Sequence, residues 1–514
     1  MAESKAQEEI FAFLSDVATH GASVRRIDTH ASSVFLAGDR AYKVKRSVRF
    51  PFLDYSTLAQ RKAACEAELA VNQPFAPQIY LGTIPITRVN GRLELGGSGN
   101  PTEWAVVMRR FDENATLDRL AEQGAITPAL ADAAARVIAV AHAAAPVSEV
   151  EPWLDALARF IDQNEAECRA AHELFDPAKV EALARASRAQ LDRLRPLLQS
   201  RGQLGLVRRG HGDLHLGNIA LIDGKPVPFD AIEFDPLVAS GDVLYDLAFL
   251  LMDFLERGLQ PAANTVLNRY LLETRRDSDL DGLAALPFFM SLRAAIRAKV
   301  TVERMENAAS ESRDDVARRA GTYFALACEL IAPARATLVA VGGLSGTGKS
   351  VLARALAPDV RPAPGAVLLR SDVERKALFG ADEVEPLSAA AYTAEANTEV
   401  YALLRAKAGR IIAAGHSAIV DAVFAKESER TAIERAAALQ GVAFRGLFVI
   451  TELATRMARV ARRRGDASDA DVGIAREQEE YGVGMVKWEQ VDASDAPAET
   501  LSRARALLSG DSRV

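Results

Sequence analysis

Apolar and polar residues follow three different rhythms along the chain, and each change of rhythm marks a boundary. As far as residue 112 the pattern is mostly of period two. VFLAGDRAYKVK (34–45) reads as a β-hairpin turning on Gly38-Asp39, and further β-like runs lie at 90–95 and 104–110. Between them a charged, alanine-rich stretch at about 57–72 predicts one helix. From there to about residue 332 the spacing is that of amphipathic helices, over 127–145, 152–170, 180–199 and 284–307, with a β-like interruption near 206–230. The third section opens on ATLVAVGG (336–343), an apolar run ending in a glycine turn. Apolar runs at 366–370, 417–421 and 446–450 then alternate with helical segments, which predicts a parallel sheet with helices on both faces. Pro333 closes the helix before it, so IAPARA (331–336) is the expected junction.

These changes predict three regions, 1–112, 113–332 and 333–514, in a multidomain chain, since 514 residues exceed one ordinary core. A hydrophobic fraction of 49% and a charged fraction of 25% are ordinary for a soluble globular protein. A net charge of -7 and a pI near 5.7 argue against a nucleic-acid partner. The three cysteines (Cys65, Cys168, Cys328) lie far apart with no CxxC pair, so buried, reduced thiols are expected rather than a metal or disulfide framework. The N-terminus, MAESKAQEEIFAFL, is acidic and amphipathic, unlike a secretory signal. The longest apolar stretches, such as 243–252, are too short to span a bilayer. A cytoplasmic protein without a membrane partner is expected, and the pattern carries no oligomerisation signal.

Candidate chemistry sits in two places. Residues 211–218 read HGDLHLGN, an Asp followed five positions later by an Asn, which is the spacing of a kinase catalytic loop. Phosphoryl transfer needs a group to orient the attacking hydroxyl, Mg²⁺ to neutralise the phosphates and a cation to fix them. Asp213 is placed to accept the hydroxyl proton, and Asn218 to give an oxygen to Mg²⁺. Asp230, ending the strand-like PVPFD, can add a carboxylate. Asp242 and Asp246, in GDVLYDLA, open a helix where negative charge suits the dipole, and read as cap and scaffold.

HGDLHLGN, with FDAIEFD and GDVLYDLA, resembles the aminoglycoside phosphotransferase and choline kinase group of protein-kinase-like enzymes, over about residues 25–330. The resemblance implies an N-terminal two-lobed α+β protein-kinase-like fold with ATP between the lobes, Asp213 as the catalytic aspartate, and Asn218 and Asp230 as metal ligands. It also implies a phosphate-binding lysine on a small-lobe strand. AYKVK (41–45) fits that place, with Lys43 the candidate and Lys45 the alternative. The lysine's carboxylate partner would be Glu68, with Glu66 in reserve, and an adenine hinge would follow WAVVM, near Met108–Phe111. No glycine-rich loop precedes Lys43, DAIEFD stands where protein kinases have Asp-Phe-Gly, and no Ala-Pro-Glu follows. A small-molecule kinase fits these departures better than a protein kinase.

The second place is GLSGTGKS (343–350), a complete Walker A loop between a predicted strand and the helical VLARALA. Its glycines let backbone N–H groups approach phosphates, Lys349 reaches the terminal ones, and the Ser350 hydroxyl binds Mg²⁺. Gly343, Ser345, Gly346, Thr347 and Gly348 make up the nucleotide-binding loop, Gly346 and Thr347 shaping it rather than reacting. An α/β P-loop NTPase domain with a parallel sheet is expected. Beside the loop, SDVERKALFG (371–380) sets Asp372 and Arg375 on adjacent helical turns, and HSAIVDAVF (416–424) carries Asp421, a natural Mg²⁺-side carboxylate. RMARVARRRGDASDAD (456–471) puts several arginines on a helix, with Arg459 and Arg463 at i, i+4. That run resembles the lid of gluconate-kinase-like, chloramphenicol-phosphotransferase-like and zeta-toxin-like P-loop kinases, a likeness extending over about 336–510. It implies arginines closing over the transferring phosphate and Asp372 meeting the substrate hydroxyl. A solvated basic helix face is the alternative for the arginines.

The combination resembles bacterial proteins that join an aminoglycoside-phosphotransferase-like part to an AAA-type ATPase. Two readings stay open. One is a bifunctional Mg·ATP-dependent kinase that transfers γ-phosphate to hydroxyl groups of small molecules. The other is a nucleotide-sensing regulatory or scaffold protein in which one or both ATP sites bind without transfer. Antibiotic modification does not follow from such a fold, which serves many hydroxylated substrates.

Overall fold

The lysine-bearing hairpin forms as its alternation predicts: Ser32–Ala37 pairs antiparallel with Arg40–Lys45, and Ala37 opposite Arg40 leaves Gly38-Asp39 as the turn. The computed structural model describes residues 2–29, 31–50, 53–305, 313–463 and 465–509. The chain divides into two compact units, one of Met1–Ala170 with Arg188–Arg257, the other of Ala171–Ser187 with Gly258–Val514.

In the first unit the hairpin belongs to a six-stranded antiparallel sheet. Its spatial order is Val24–Asp28, Ser32–Ala37, Arg40–Lys45, Asn100–Arg109, Tyr80–Val89, Arg92–Leu95. Tyr80–Val89 escaped the alternation because two register shifts, at Tyr80/Gly82 and Ile86/Thr87, break its period of two. Its turn into Arg92–Leu95 is Asn90-Gly91, both at positive φ, as a two-residue hairpin requires. The helix Leu58–Asn72 starts on a capping box: the Gln60 N–H donates to the Thr57 hydroxyl oxygen, and the Thr57 N–H to the Gln60 side chain. Its buried face carries Arg61, Cys65, Glu68 and Asn72. Three polar side chains on a buried helix face need partners: Arg61 pairs with Glu103 at 2.9 Å, and Glu68 and Asn72 find theirs in the site described below.

The remainder of this unit is largely helical, with Pro128–Ala144, Val150–Ala170 and Val243–Glu256 around two small hairpin-like pairs, Ile219–Ile222 with Lys225–Pro228 and Val207–Arg209 with Ser240–Asp242. Val243–Glu256 is buried continuously from Val243 to Phe254. A helix buried all round is a core element, so its Asp246 and Asp253 carboxylates must be hydrogen-bonded inside.

The second unit holds a five-stranded parallel sheet in the order Val367–Arg370, Ala418–Asp421, Thr337–Gly342, Ala443–Ile450, Glu489–Asp492. Only Val491 of the last strand is buried, which is why no apolar run announced it. Val339, Val341, Leu352, Leu356, Ile419, Leu447 and Val449 form the core between this sheet and its helices. Helices Gln260–Thr274, Leu286–Met305 and Arg313–Leu330 belong to the same unit. Gln260–Thr274 lies against the edge strand, where Asn264 and Asn268 donate to the Ala366 carbonyl, both at 3.1 Å, and the Leu368 N–H donates to Asn268 Oδ1 at 2.7 Å. Cys65 and Cys168 are buried thiols and Cys328 is half-buried. Among the described residues no helix is long and apolar enough to cross a membrane.

Candidate active sites

In the first unit two loops are stitched side by side. The His211 ring Nε2 bonds the Phe229 carbonyl at 2.8 Å, the Ile232 N–H donates to the His211 carbonyl at 3.0 Å, and the Phe229 N–H to the Asn218 carbonyl at 2.9 Å. Burial pushes His211 below the ordinary imidazole range, with Asp246 and Asp213 opposing it, and the ring braces one loop against the other. The buried helix is the shelf beneath: Asp246 accepts the N–H groups of His211 and Gly212 at 2.8 and 3.0 Å, and Asp253 that of Leu216 at 2.9 Å. Asp242 caps that helix by accepting the Leu244 N–H, and it holds Arg201 by a two-point ion pair at 2.6 and 2.8 Å. On this platform the Asn218 amide donates to the Asp213 carbonyl at 2.9 Å and to its carboxylate at 3.0 Å, leaving the Asn218 oxygen available to a cation.

Across from the platform, Lys43 reaches Glu68 at 2.8 Å and Asp230 at 2.6 Å. Lys45 bonds the other Glu68 oxygen at 2.5 Å and Glu233 at 2.5 Å. Glu68 is fully buried; burial opposes its ionisation, but Lys43 and Lys45 outweigh it and hold the carboxyl below the ordinary carboxylate range. Burial likewise works against the charge on Lys43, and Asp230 and Glu68 override it, so its pKa stays well above the ordinary lysine value. Glu66 faces outward, paired with Lys62 at 3.6 Å. Asp230 adopts φ +61°, a left-handed conformation rare outside glycine. Asn72, one helical turn beyond Glu68, brackets the next residue: its oxygen takes the Ala231 N–H at 2.7 Å and its nitrogen donates to the Ala231 carbonyl at 3.2 Å. The Asp230 N–H donates to the Tyr80 hydroxyl at 3.1 Å. The expected hinge, Met108–Phe111, runs off the end of the strand Asn100–Arg109.

In the second unit the Walker A loop leaves the central strand and enters the helix Lys349–Leu356. Side chains could not replace its glycines: a Cβ at Gly343 would lie 2.7 Å from the Val449 carbonyl, and one at Gly346 2.6 Å from the Arg456 carbonyl. Such a cradle fits phosphates, whose approach needs bare backbone. Lys349 is 7% exposed, and its ammonium makes no hydrogen bond or ion pair with another described residue. Asp421 ends the neighbouring strand, and its Oδ1 is buried without a hydrogen-bond partner while Arg370 stands 3.4 Å from Oδ2. A buried carboxylate oxygen with no donor has its lone pairs open to a cation. No cluster of three or more His, Cys, Asp or Glu side chains among the described residues is arranged to hold a metal.

Around the loop, Asp372 is half-buried on the first turn of Ser371–Leu378. Arg375 lies three residues on and is turned into the protein, donating to the Ala391 carbonyl at 2.6 Å and to Asn397 at 2.7 Å beneath Tyr392. Arg459 donates to the Thr347 carbonyl at 3.1 Å and the Ala493 carbonyl at 2.7 Å, gripping the Walker A loop from behind. Arg463 lines a cavity of about 300 Å³ with Asp466, Asp471 and Val472. Arg456 and Gln478 hold Ser345 by its carbonyl and N–H, at 2.9 and 2.6 Å. Arg370 ties Asp421 to Asp466 of the 456–471 run, the second contact at 2.9 Å.

Residues 23–286 match the Phosphotransferase enzyme family, just over half of the 514 residues, and residues 338–480 match the AAA domain. The chain belongs to the phosphotransferase enzyme family. This phosphotransferase is 30% identical over 464 residues to an uncharacterized protein of Mycobacterium tuberculosis, covering 87% of this chain and 88% of that one. It is similar to a choline kinase structure from Cryptosporidium parvum at 10% identity and TM-score 0.40, covering 62% of this chain and 95% of that one. It is also similar to a gluconokinase structure from Sinorhizobium meliloti at 23% identity and TM-score 0.25, covering 34% and 91%.

The first candidate site contains four side chains that motif spacing did not single out: Asn72, Tyr80, Glu233 and Asp253. Asn72 carried a signal, because Arg61, Cys65, Glu68 and Asn72 repeat at helical spacing and place a polar group on the inward face. Asp253 also carried one, as a carboxylate inside an otherwise apolar helix. In the second site, Arg456 and Gln478 are anchors that only the folded chain brings to Ser345.

Proposed function

We propose that this phosphotransferase carries two ATP sites and transfers the γ-phosphate to hydroxyl groups of small molecules with Mg²⁺. The observation that carries this is the arrangement of the first unit, where a buried Lys43–Glu68 pair faces an Asp213–Asn218 pair across loops hydrogen-bonded to each other. Lys43 fixes phosphate oxygens. Asp213 orients the acceptor hydroxyl and takes its proton as the new oxygen–phosphorus bond forms and the bond from the γ-phosphorus to the ADP oxygen breaks, ADP leaving. Asn218 and Asp230 hold Mg²⁺ in the first unit, and Ser350 with Asp421 in the second. Mg²⁺ bound there neutralises the phosphate charge. In the second unit the Walker A amides and Lys349 cradle the phosphates, Asp372 meets the acceptor, and Arg463 closes from the lid.

A second reading is nucleotide sensing without transfer in the second unit. It draws support from Arg375 and Arg459, whose guanidiniums are both engaged with the protein itself. ADP release with Mg·ATP, measured with and without a panel of hydroxylated compounds including sugars and aminocyclitols, separates the two. Acceptor-dependent release with a phosphorylated product supports transfer. Tight ATP binding with no acceptor-dependent turnover across the panel overturns it in favour of sensing.

A further inference from the structure

Two lysines, not one, share Glu68, and the second has no place in the chemistry above. Lys45 is 3% exposed and lies two residues beyond Lys43 on the same strand, with its ammonium 2.5 Å from Glu68 Oε2 and 2.5 Å from Glu233 Oε1. Glu233 is itself 8% exposed and also accepts the Tyr55 hydroxyl at 3.2 Å. Buried ion pairs are often no more stabilising than apolar residues of the same shape, so an extra one points to a geometric duty.

We propose that Lys45 and Glu233 are a positioning pair that fixes the Asp230 loop for its metal, a role resting on the assignment of Asp230 as metal ligand. The left-handed backbone at Asp230 is uphill for a side chain and persists only if its surroundings hold it. On its C-terminal side, Asn72 clamps Ala231, His211 clamps Ile232, and Glu233 ties the segment to the lysine strand. The pair also sets charge. With Lys45 divided between Glu233 and Glu68, Lys43 keeps Glu68 Oε1 as well as Asp230. Without Glu233, Lys45 turns wholly to Glu68, Lys43 falls back on Asp230, and its ammonium competes with the cation for that carboxylate.

The test uses the full chain carrying Glu233→Gln or, as a milder change that spares the ion pair, Tyr55→Phe. Two quantities are read: hydrogen exchange of segment 229–235 without nucleotide, and the Mg²⁺ concentration giving half-maximal protection of that segment with a non-hydrolysable ATP analogue. Partners one shell out from a metal ligand typically carry roughly 10- to 100-fold in metal affinity. Glu233→Gln is expected to raise the half-protecting Mg²⁺ concentration by about tenfold and to speed exchange at Ala231 and Ile232. Tyr55→Phe shifts both less, in the same direction, and the Walker A segment is unchanged in either variant. Asp230→Asn is the control that abolishes Mg²⁺-dependent protection. If Asp230→Asn keeps the wild-type Mg²⁺ response, the metal assignment fails and the proposal with it. If Asp230→Asn abolishes the response while Glu233→Gln and Tyr55→Phe match wild type in both readouts, the pair is merely buried structure and the proposal alone is overturned. Should Glu233→Gln fail to fold, Glu233→Asp, which keeps the charge but draws the carboxylate back from Lys45, decides by the same two readouts.

Discussion

Replacing Asn268 by Ala should loosen the edge of the P-loop sheet, although Asn268 lies within the phosphotransferase match (23–286) and outside the AAA match (338–480). The side chain acts as a substitute for a neighbouring strand: its oxygen takes the Leu368 N–H at 2.7 Å and its nitrogen donates to the Ala366 carbonyl at 3.1 Å. An uncovered edge strand is otherwise an open template for pairing. Truncation leaves the half-buried Leu368 without this acceptor, which costs about 1–3 kcal/mol, while the carbonyl keeps Asn264 at 3.1 Å and its loss is about 1 kcal/mol or less. A total of about 1–4 kcal/mol is a large part of the stability of an ordinary domain. Urea unfolding of the full chain, with hydrogen exchange resolved at Leu368, measures it. Asn268→Asp, which retains an acceptor for Leu368, should recover part of the loss. The strand runs directly into Asp372, so faster exchange should extend to 367–372. An unfolding transition unmoved by Asn268→Ala, with unchanged exchange at Leu368, would refute the reasoning.

Gly346→Ala should cost nucleotide binding in the second unit, because the new methyl meets the Arg456 carbonyl at 2.6 Å with φ at +85°; strain of about 1–3 kcal/mol predicts weaker ATP-analogue binding with the first unit unaffected. Asp421→Asn should leave metal-free analogue binding in place but remove most of its Mg²⁺ enhancement, read by titration with and without a chelator, since it alters the buried oxygen that has no donor. Burial pushes His416 down to about 4, with its Nε2 bonded to the Gly365 carbonyl at 3.0 Å. Its folded pKa lies below the unfolded value, so the folded chain binds fewer protons and stability falls as pH drops from about 6.5 towards 4. That contribution is on the order of 3 kcal/mol at ~1.4 kcal/mol per pH unit, and a pH series of unfolding curves should flatten over this window in His416→Gln.

Spacing within the sequence was enough to pair residues that lie close along the chain or on one repeating face. The Gly38-Asp39 hairpin, the Lys43 strand, the 211–218 loop and the Walker A strand–loop–helix all have local signatures, and the folded chain has them where those signatures lie. What stayed hidden depends on partners brought from far away. Asn72 and Ala231 are 159 residues apart, and Lys45 and Glu233 are 188 apart, with no periodicity linking them. Arginine direction was equally illegible: Arg459 and Arg375 sit where the motif spacing puts them, yet each points at backbone carbonyls that the sequence does not advertise. Bulged strands such as Tyr80–Val89 were obscured because a register shift erases the alternation on which strand recognition depends.

The stoichiometry with which a non-hydrolysable ATP analogue binds in Mg²⁺ tests the proposed pair of sites most directly. Isothermal titration of the full chain is expected to give two analogue molecules per chain, falling to one in Lys349→Ala and to one in Lys43→Ala with Asp230→Asn. A single molecule bound by the wild-type chain, lost altogether in one of these variants and unchanged in the other, would contradict it.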